Sequence, residues 1–284
     1  GAYGLNTTAA GSTTFSGEVG NLTPLSSLTV SSGTRTNINT TNVTTIGTQN
    51  YTGNVALGNA STTTFSTTNN SIEFAGNVTG VNQDVRLSSG TGAVELHKVS
   101  EVGNLQLLGS GNKTLSGNIS NTTSLNIAAG GITTINATSI ATSGDQIYDD
   151  AVSLGVSTAL SGNNISFANT INGGYGLNVT AVDHVAFTGT VGNTTALSYL
   201  GVNATTANLN GGIITTTGAQ EYNAAVALGA NTTLTSSAGN ILFDQTVDGA
   251  YGLNTTAAGS TTFSGERSEA SAVSYVGRSG RTAY

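Results

Sequence analysis

The sequence predicts an all-β protein that folds as a parallel β-helix, a solenoid with rungs of about 20 residues. Three observations predict this fold: a composition poor in helix formers, apolar residues that alternate along short segments, and motifs that recur at a regular spacing. One rung of this length cannot bury its apolar side alone, but stacked rungs share a continuous core. The chain is therefore expected to form a column of about 14 rungs.

Composition favours strands and tight turns over helices. Only 7% of the 284 residues are charged, and the chain has 39 Gly, one Pro and no Cys, Met or Trp. Strong helix formers are scarce, whereas Thr and Val, which favour strands, and Gly and Asn, which favour turns, are abundant. Disorder is the competing interpretation, but 37% of the residues are hydrophobic and they recur in order.

The same composition excludes several kinds of function. A chain without Cys has no disulfides, thiolate zinc sites or thiol nucleophiles. A formal net charge of −7 argues against nucleic-acid binding, which requires a basic patch. No apolar run approaches the ~20 residues of a membrane-spanning helix. The chain starts within a repeat and carries no initiator Met or signal peptide, so we expect it to be a segment of a longer protein.

Three motifs recur along the chain. The segment GAYGLNTTAAGSTTFSGE occupies residues 1–18 and returns unchanged at residues 249–266. A Gly-x-Gln-x-Tyr motif followed by Val-x-Leu-Gly occurs three times, with its tyrosines at Tyr51, Tyr148 and Tyr222. In the third motif an apolar residue is followed four positions later by Val or Ile; examples are Phe74/Val78, Leu115/Ile119, Phe167/Ile171, Phe187/Val191 and Phe243/Val247.

The spacing of the motifs gives the period. Phe167 and Phe187 are 20 residues apart, and Tyr148 and Tyr222 are 74 apart, which we interpret as a higher-order repeat of about four rungs. Tyr51 and Tyr148 are 97 residues apart, which indicates one extra rung near residues 84–101. The array is therefore expected to cover residues 1–266 and to leave residues 267–284 as a non-repeat C-terminal tail.

Each rung is expected to contain short strands joined by tight corners. Val185 and Phe187 alternate with Ala186 and His184, which is typical of a strand with one buried face. Between the two apolar residues of the third motif lies a corner position, where Gly76, Gly117 or Gly189 is expected to adopt backbone angles that other residues avoid. Asn and Thr at equivalent positions are expected to form hydrogen-bonded ladders along the axis.

These repeats resemble the repeat regions of filamentous-haemagglutinin-like proteins, large bacterial exoproteins secreted by two-partner systems or as autotransporter passengers. The carrying segments are the GAYGLNTTAAGSTTFSGEVG unit, TTTGAQEYNAAVALGANTTLT at residues 215–235 and NTTALSYL at residues 193–200. The resemblance covers residues 1–266. It implies a right-handed parallel β-helix, a place at the bacterial cell surface, an outer-membrane secretion partner and a role in adhesion or biofilm structure without a cofactor.

The sequence therefore indicates a structural segment of an extracellular bacterial fibre or filamentous adhesin. Its expected partners are itself, by head-to-tail or lateral assembly, and host or matrix glycans. A polysaccharide-acting β-helix enzyme and an ice-binding β-helix are the alternatives. We expect no catalytic, metal-binding or cofactor-binding residues. Asp149 and Asp150 are interpreted as an acidic corner of one rung, and on a strand they would face opposite sides unless a corner intervened, while His97 and His184 are expected to be solvated and far apart in sequence.

Two groups of charged residues are candidates for interaction. The first is the most charged part of the array and serves as a candidate interaction patch; it consists of Asp84, Arg86, Glu95, Lys98 and Glu101. The second is the basic tail, a candidate for docking onto an acidic neighbour; its cations are Arg267, Arg278 and Arg281.

Overall fold

The computed structural model of the protein describes residues 3–58, 61–265 and 275–277. These residues form strands and turns and contain no helix, and their parallel strands stack in about 13 coils spaced about 20 residues apart, which makes the fold a β-solenoid. The chain divides into two compact units, Gly1–Asp145 and Gln146–Tyr284. The predicted fold class is confirmed in each unit, with about 13 coils in place of the 14 expected.

The first unit contains nineteen short strands. They are β1 (Leu5–Ala9), β2 (Thr13–Phe15), β3 (Leu28–Ser32), β4 (Thr36–Ile38), β5 (Asn42–Thr44), β6 (Gln49–Tyr51), β7 (Val55–Leu57), β8 (Thr63–Ser66), β9 (Ile72–Phe74), β10 (Val78–Thr79), β11 (Val85–Ser88), β12 (Val94–Leu96), β13 (Val99–Ser100), β14 (Asn104–Leu108), β15 (Lys113–Leu115), β16 (Ile119–Thr122), β17 (Ser124–Ile127), β18 (Ile132–Ile135) and β19 (Ser139–Thr142).

Each strand of the first unit pairs in parallel with the equivalent strand of the next coil, so the strands form three columns. The first column is β1, β3, β6, β9, β12, β15 and β18. The second is β2, β4, β7, β10, β13, β16 and β19. The third is β5, β8, β11, β14 and β17. A complete coil therefore contributes one strand to each of three columns.

The second unit repeats this organisation with sixteen strands. They are β20 (Gln146–Tyr148), β21 (Ala151–Leu154), β22 (Thr158–Gly162), β23 (Ile165–Phe167), β24 (Ile171–Asn172), β25 (Leu177–Ala181), β26 (His184–Phe187), β27 (Leu200–Leu209), β28 (Ile213–Thr216), β29 (Gln220–Leu228), β30 (Thr232–Ser236), β31 (Ile241–Phe243), β32 (Val247–Asp248), β33 (Leu253–Ala257), β34 (Thr261–Phe263) and β35 (Tyr275–Gly277).

The long strands β27 and β29 each belong to two columns of the second unit. Their first halves pair along β22, β25, β31 and β34, and their second halves along β20, β23, β26 and β32. The remaining column begins with β21 and β24, continues through the bridges from Ile171 to Val191 and from Val191 to Ile214, and then runs through β28, β30, β33 and β35. In β27 and β29 the chain continues as one strand at the place where the other coils have a corner. Each of these two strands therefore contributes to two columns.

The core consists of like residues that lie directly over one another. In the second column of the first unit, Val55, Val78, Val99 and Ile119 occupy successive coils in register, and each is at most 2% exposed. Burial of a side chain of this size stabilises the fold by roughly 1.5–3 kcal/mol. The predicted alternation of inward and outward residues is confirmed, for example in β26, where Val185 and Phe187 are buried while His184 and Ala186 are not.

The corner glycines are present for a different reason from the one expected. Gly76, Gly117 and Gly189 lie at bends between strands, but none of them has a positive φ. A Cβ on Gly189 would lie 2.2 Å from the carbonyl carbon of Asn169 in the preceding coil, and a Cβ on Gly76 would lie 2.5 Å from that of Gly53. These positions are therefore glycine because the backbones of successive coils approach too closely to admit a side chain.

Asparagine side chains link successive coils mainly by bonding to the backbone, whereas a ladder of bonds between side chains was expected. The Oδ1 atom of an asparagine accepts a hydrogen bond from a backbone N–H that lies 20 to 23 residues further along the chain, in the next coil. The asparagines that do so are Asn54, Asn69, Asn112, Asn118, Asn164, Asn172, Asn231 and Asn240. These bonds satisfy N–H groups in corners and at the first residues of strands, such as Ile132 and His184, which removes the cost of leaving them unpaired. Bonds between side chains also occur, such as that from Asn37 Nδ2 to Thr14 Oγ1 at 3.0 Å.

The 74-residue repeat does not correspond to four coils. In the second unit Tyr148, Phe167, Phe187, Leu209 and Leu228 follow one another in register, so four coils take 80 residues. Tyr222 lies six residues before Leu228 on the same strand, β29, in the column that the first half of that strand joins. The Gln-x-Tyr motif thus moves to a different face of the coil when it recurs, and it fits both faces because both present a buried strand.

We expect Gly189→Ala to destabilise the second unit by about 1–3 kcal/mol, because the added methyl group would displace the backbone of the coil below. Gly174→Ala is the matched control in the same unit, since no atom lies within 4 Å of a Cβ built there, and it should shift stability by less than about 0.5 kcal/mol. Urea unfolding followed by circular dichroism measures both variants. Equal stability of the two would contradict the close contact between coils.

Candidate functional site

The first coil shows how much of a coil's burial is supplied by its neighbours. Strand β1 is the first strand of its column among the described residues and pairs with β3, and β2 pairs with β4 in the same way.

A second copy of the same sequence differs from the first coil in burial. Strands β1 and β33 both read Leu-Asn-Thr-Thr-Ala, but Leu5 is 36% exposed whereas Leu253 is 1% exposed. The difference arises because β33 has strands on both sides, with Leu253 in register between Thr232 of β30 and Tyr275 of β35. The sequence of the first coil is therefore one that becomes fully buried when both edges are covered.

Other inward-facing groups of the first coil show the same incomplete burial. Thr13 is partly exposed, whereas its counterpart Thr261 is buried. The hydroxyl oxygen of Thr7 is shielded from solvent but has no hydrogen-bond partner, although in the covered copy the hydroxyl of Thr261 donates to that of Thr255 at 3.2 Å. All of residues 3–27 are at least partly exposed. These contrasts show that the inward-facing residues of a coil are fully buried only when a further coil lies on each side of it.

The residues of the predicted charged patch do not form one surface. They belong to two successive coils of ordinary length and wind around them: Arg86 lies on β11 in the third column and Glu95 on β12 in the first. Asp84 Oδ1 accepts hydrogen bonds from the backbone and side-chain nitrogens of Asn104 at 2.7 and 2.9 Å. Lys98 and Glu101 are exposed on either side of β13, and Glu101 has a positive φ of 60°. Asp84 therefore links two successive coils.

Charge compensation within this patch is weak. Glu95 lies in register with Glu73 of the preceding coil, a residue of the same charge, and its Oε1 accepts a hydrogen bond from Ser116 Oγ at 3.2 Å. Arg86 lies in register between the neutral residues Thr64 and Gln106. The register of the coils, which sets these neighbours, is not evident from the order of charges along the chain.

The other residues that the sequence singled out as candidates lie at separate places in the chain's fold or outside the described residues. Arg267, Arg278 and Arg281 of the predicted docking tail lie outside the described residues. Asp149 and Asp150 lie in the corner between β20 and β21 and not on a strand; Asp149 is half-buried and Asp150 is 1% exposed. His97 is exposed, and His184 is partly exposed with its Nδ1 3.7 Å from Asp183. Within the part of the chain that the structure describes, no three His, Cys, Asp or Glu residues come together as a metal-binding group.

A shallow groove runs along the outer face of the second unit. It has a volume of about 460 Å³, and its exposed polar side chains are Asn178, Asn203, Asn223, Glu221 and Asp244. Asn203 and Asn223 lie in register on adjacent strands, and Gly201 leaves the floor of the groove open beside Asn178. Amide and carboxylate groups arranged in this way offer donors and acceptors to a polar ligand such as a sugar.

The Gln-x-Tyr motif is a buried polar pair. In each copy the tyrosine hydroxyl donates to Oε1 of the glutamine two residues earlier, at 3.1, 2.8 and 3.0 Å for Tyr51, Tyr148 and Tyr222. The glutamine Nε2 in turn donates to strand carbonyls, as Gln49 does to Val43 and Ser66. Each tyrosine ring stacks on a phenylalanine of the next coil, with ring centroids 4.7 to 5.1 Å apart. The motif therefore stabilises the interior.

Lys113 is a buried residue that sequence reasoning missed. It lies inside the first column between Val94 and Thr133, is fully buried, and its Nζ donates to the carbonyl oxygens of Gly109 and Ala128 at 2.7 and 2.8 Å. Its inward position follows from the alternation with Leu115, which is the one signal that could have placed it in the core. The buried ammonium group of Lys113 thus links the corner at Gly109 to the corner at Ala128 from inside the core.

We expect stability to fall steeply above pH 10. Burial raises the pKa of Tyr51, Tyr148 and Tyr222 far above the ordinary value, so the three phenols stay protonated in the folded chain. In the unfolded chain they ionise near pH 10, so unfolding releases protons and the free energy of unfolding drops by about 1.4 kcal/mol per pH unit for each tyrosine. The contribution is complete below pH 10 and is lost as the pH rises above it.

Denaturant unfolding at pH 9, 10 and 11 measures this slope, and the Tyr148→Phe/Tyr222→Phe variant is its control. The slope should shrink to about one third in the double variant, because Tyr51 is then the one buried phenol left of the three, although stability at pH 9 should also drop, because Gln146 and Gln220 lose their donors. Titration of all nine tyrosines near pH 10 in the folded protein, followed by absorbance, would contradict the burial.

The described part of the chain contains no helix of the length and hydrophobicity that a membrane crossing requires. Comparison with known proteins identifies no relative: no protein-family model, no curated protein and no solved structure matches this chain.

Proposed function

We propose that this chain is a structural segment of an extracellular bacterial fibre or filamentous adhesin, in which solenoid coils add to one another. The observation that carries the proposal is the in-register stacking of the coils, in which each coil is held almost entirely by the coils before and after it. A structure held by neighbouring coils is extensible, because adding a further coil requires only a partner of the same kind.

Three kinds of interaction support cohesion between coils. Backbone hydrogen bonds run along every column, as between Val78 and Lys98 at 2.8 Å. Asparagine side chains tie corners together, as Asn112 does with Ile132. Aromatic rings stack in parallel, with Phe243 and Phe263 at 4.8 Å. Because these interactions recur from coil to coil, resistance to pulling or proteolysis is distributed along the column, which suits a load-bearing fibre.

The location and the adhesive role are parts of the same proposal. A place at the bacterial cell surface and an outer-membrane secretion partner rest on the resemblance of residues 1–266 to filamentous-haemagglutinin-like repeats. Binding of host or matrix glycans is supported by the groove with Asn203, Asn223 and Glu221, which presents uncharged and anionic hydrogen-bonding groups to solvent. Neither a polysaccharide-acting enzyme nor an ice-binding protein gains a specific observation of its own in the described residues.

The assembly of purified protein tests the proposal. We expect the chain to form filaments at high concentration and more readily at 0.5 M than at 0.02 M salt, since salt screens the repulsion between copies that carry a net charge of −7. Sedimentation, electron microscopy and fibre diffraction are the measurements, with a reflection near 4.8 Å expected along the filament axis. Discrete monomers at every salt concentration would refute assembly by coil addition.

A further inference from the structure

We infer that the groove on the outer face of the second unit binds a linear oligosaccharide whose sugars carry free amino groups. This inference rests on the proposed function and specifies the class of glycan and the side chains that bind it. The carboxylates of Glu221 and Asp244 bind the ammonium groups of the sugar chain, and the asparagine amides of the groove bind its hydroxyl groups.

The first row of polar side chains in the groove runs across three successive coils. Asn203 and Asn223 lie in register on β27 and β29. Asp244 is the residue after Phe243, which pairs with Tyr222, so Asp244 continues this row on the next coil. The spacing of strands places a hydrogen-bonding side chain about every 4.8 Å along the row. Such a row suits a ligand that is itself a chain of repeated polar units.

The second row lies beside the first and has an open position at its centre. Asn178, Gly201 and Glu221 are in register on β25, β27 and β29. A Cβ on Gly201 would lie 2.5 Å from Oδ1 of Asn178, so the amide of Asn178 reaches over the backbone of the next coil. No side chain of this row stands between Asn178 and Glu221, which leaves room there for a sugar ring.

The polar side chains of the groove are not used to hold the fold together. Five of them are exposed, and within the described residues their side chains make no hydrogen bond or ion pair with the protein; they are Asn178, Asn203, Glu221, Asn223 and Asp244. By contrast, other asparagines of the same unit accept hydrogen bonds from the next coil, among them Asn164, Asn172, Asn231 and Asn240. The amides of the groove therefore keep their donors and acceptors for a ligand.

The charge of the second unit determines which glycan fits. Residues 146–265 contain no Lys or Arg, and their six acidic residues are Asp149, Asp150, Asp183, Glu221, Asp244 and Asp248. The charged residues that line the groove are Glu221 and Asp244. Sulfate or carboxylate groups on a sugar chain would be repelled there, whereas an ammonium group forms a charge-assisted hydrogen bond with a carboxylate.

An aromatic ring flanks the groove. Tyr199 lies two residues before Gly201, on the same outward face of the chain, and is half-buried. A Cβ on Gly176 would lie 2.0 Å from Cε1 of Tyr199, so the ring lies over the backbone of Gly176, two residues before Asn178. A partly exposed aromatic ring beside carboxylates offers a surface on which the apolar face of a sugar or an ammonium group packs.

An extended basic peptide fits the groove less well than a sugar chain. The groove lies on the face of a sheet, and its strands β25, β27 and β29 are paired with neighbouring strands on both sides. Peptides that bind to sheets add to a free strand edge, where their backbone groups find partners. On this face a peptide would leave its N–H and C=O groups without backbone partners, whereas sugar hydroxyls bind to side chains directly.

Calorimetric titration with four tetramers tests the class of ligand. The tetramers are β-1,4-linked glucosamine, its fully N-acetylated counterpart, galacturonic acid and lysine. We expect the glucosamine tetramer to bind at least ten-fold more tightly than the other three, and to bind more weakly at about 0.5 M than at about 0.05 M salt, because salt screens the carboxylates. The lysine tetramer matches its number of amino groups and so controls for charge alone.

Substitutions in the groove test its position. Glu221→Gln and Asp244→Asn should each weaken binding of the glucosamine tetramer at least three-fold, and the double variant at least ten-fold. Asp149→Asn is the matched control, since it removes the same charge from the corner between β20 and β21, and it should change the affinity less than two-fold. Gly201→Leu fills the open position and should abolish binding with both carboxylates in place. Circular dichroism checks that each variant keeps its strand content.

The outcomes separate this inference from the fibre proposal. Selective binding of the glucosamine tetramer that is lost in the double variant supports the assigned groove and ligand. Binding that survives in the double variant would place the site elsewhere and overturn the inference. A preference for the acetylated or the acidic tetramer, equal binding of the lysine tetramer, or no binding of any tetramer would also overturn it. The fibre proposal is decided separately, by whether the unmodified chain forms filaments without any glycan.

Discussion

The parallel, in-register pairing of each strand with its equivalent in the next coil is the constraint on which the rest of the structure depends. It brings residues some 20 positions apart in sequence into direct contact, so Val55, Val78, Val99 and Ile119 form one buried column. Because the register is fixed, any side chain that points inward once in a column must be compatible with the inward residues above and below it. The same packing and the same hydrogen-bond arrangement are thus repeated from coil to coil along a column.

Such repetition allows a chain with few strong hydrophobic residues to fold. Polar groups that enter the interior do so in fixed arrangements that satisfy them. The hydroxyl of Tyr148 is bound by Gln146, Gln146 in turn donates to a strand carbonyl, and Lys113 is enclosed by corner carbonyls. Each of these would cost several kcal/mol if buried without its partners. The core is therefore a mixed column of aliphatic, aromatic and bonded polar residues.

The sequence predicted the fold class, the period and the alternation of inward and outward side chains because all three depend on the order of residues within one coil. What it could not predict depends on contacts between coils. The exclusion of side chains at Gly189 comes from the backbone of Asn169 in the coil below. The phase of the 74-residue repeat was misjudged because Tyr148 and Tyr222 occupy equivalent environments in different columns. The charged patch was expected from neighbouring positions in sequence, but the winding of the coil separates Arg86 from Glu95 onto different columns.

The duplicated eighteen residues separate the effect of sequence from the effect of neighbouring coils. Identical sequences at β1 and β33 must have identical intrinsic preferences, so the difference in burial between Leu5 and Leu253 comes from what lies beside them. Leu253 is buried because β33 has strands on both sides, in β30 and β35. Burial in this architecture is therefore a property of the column and not of the single coil, because each coil completes the core of the coils next to it.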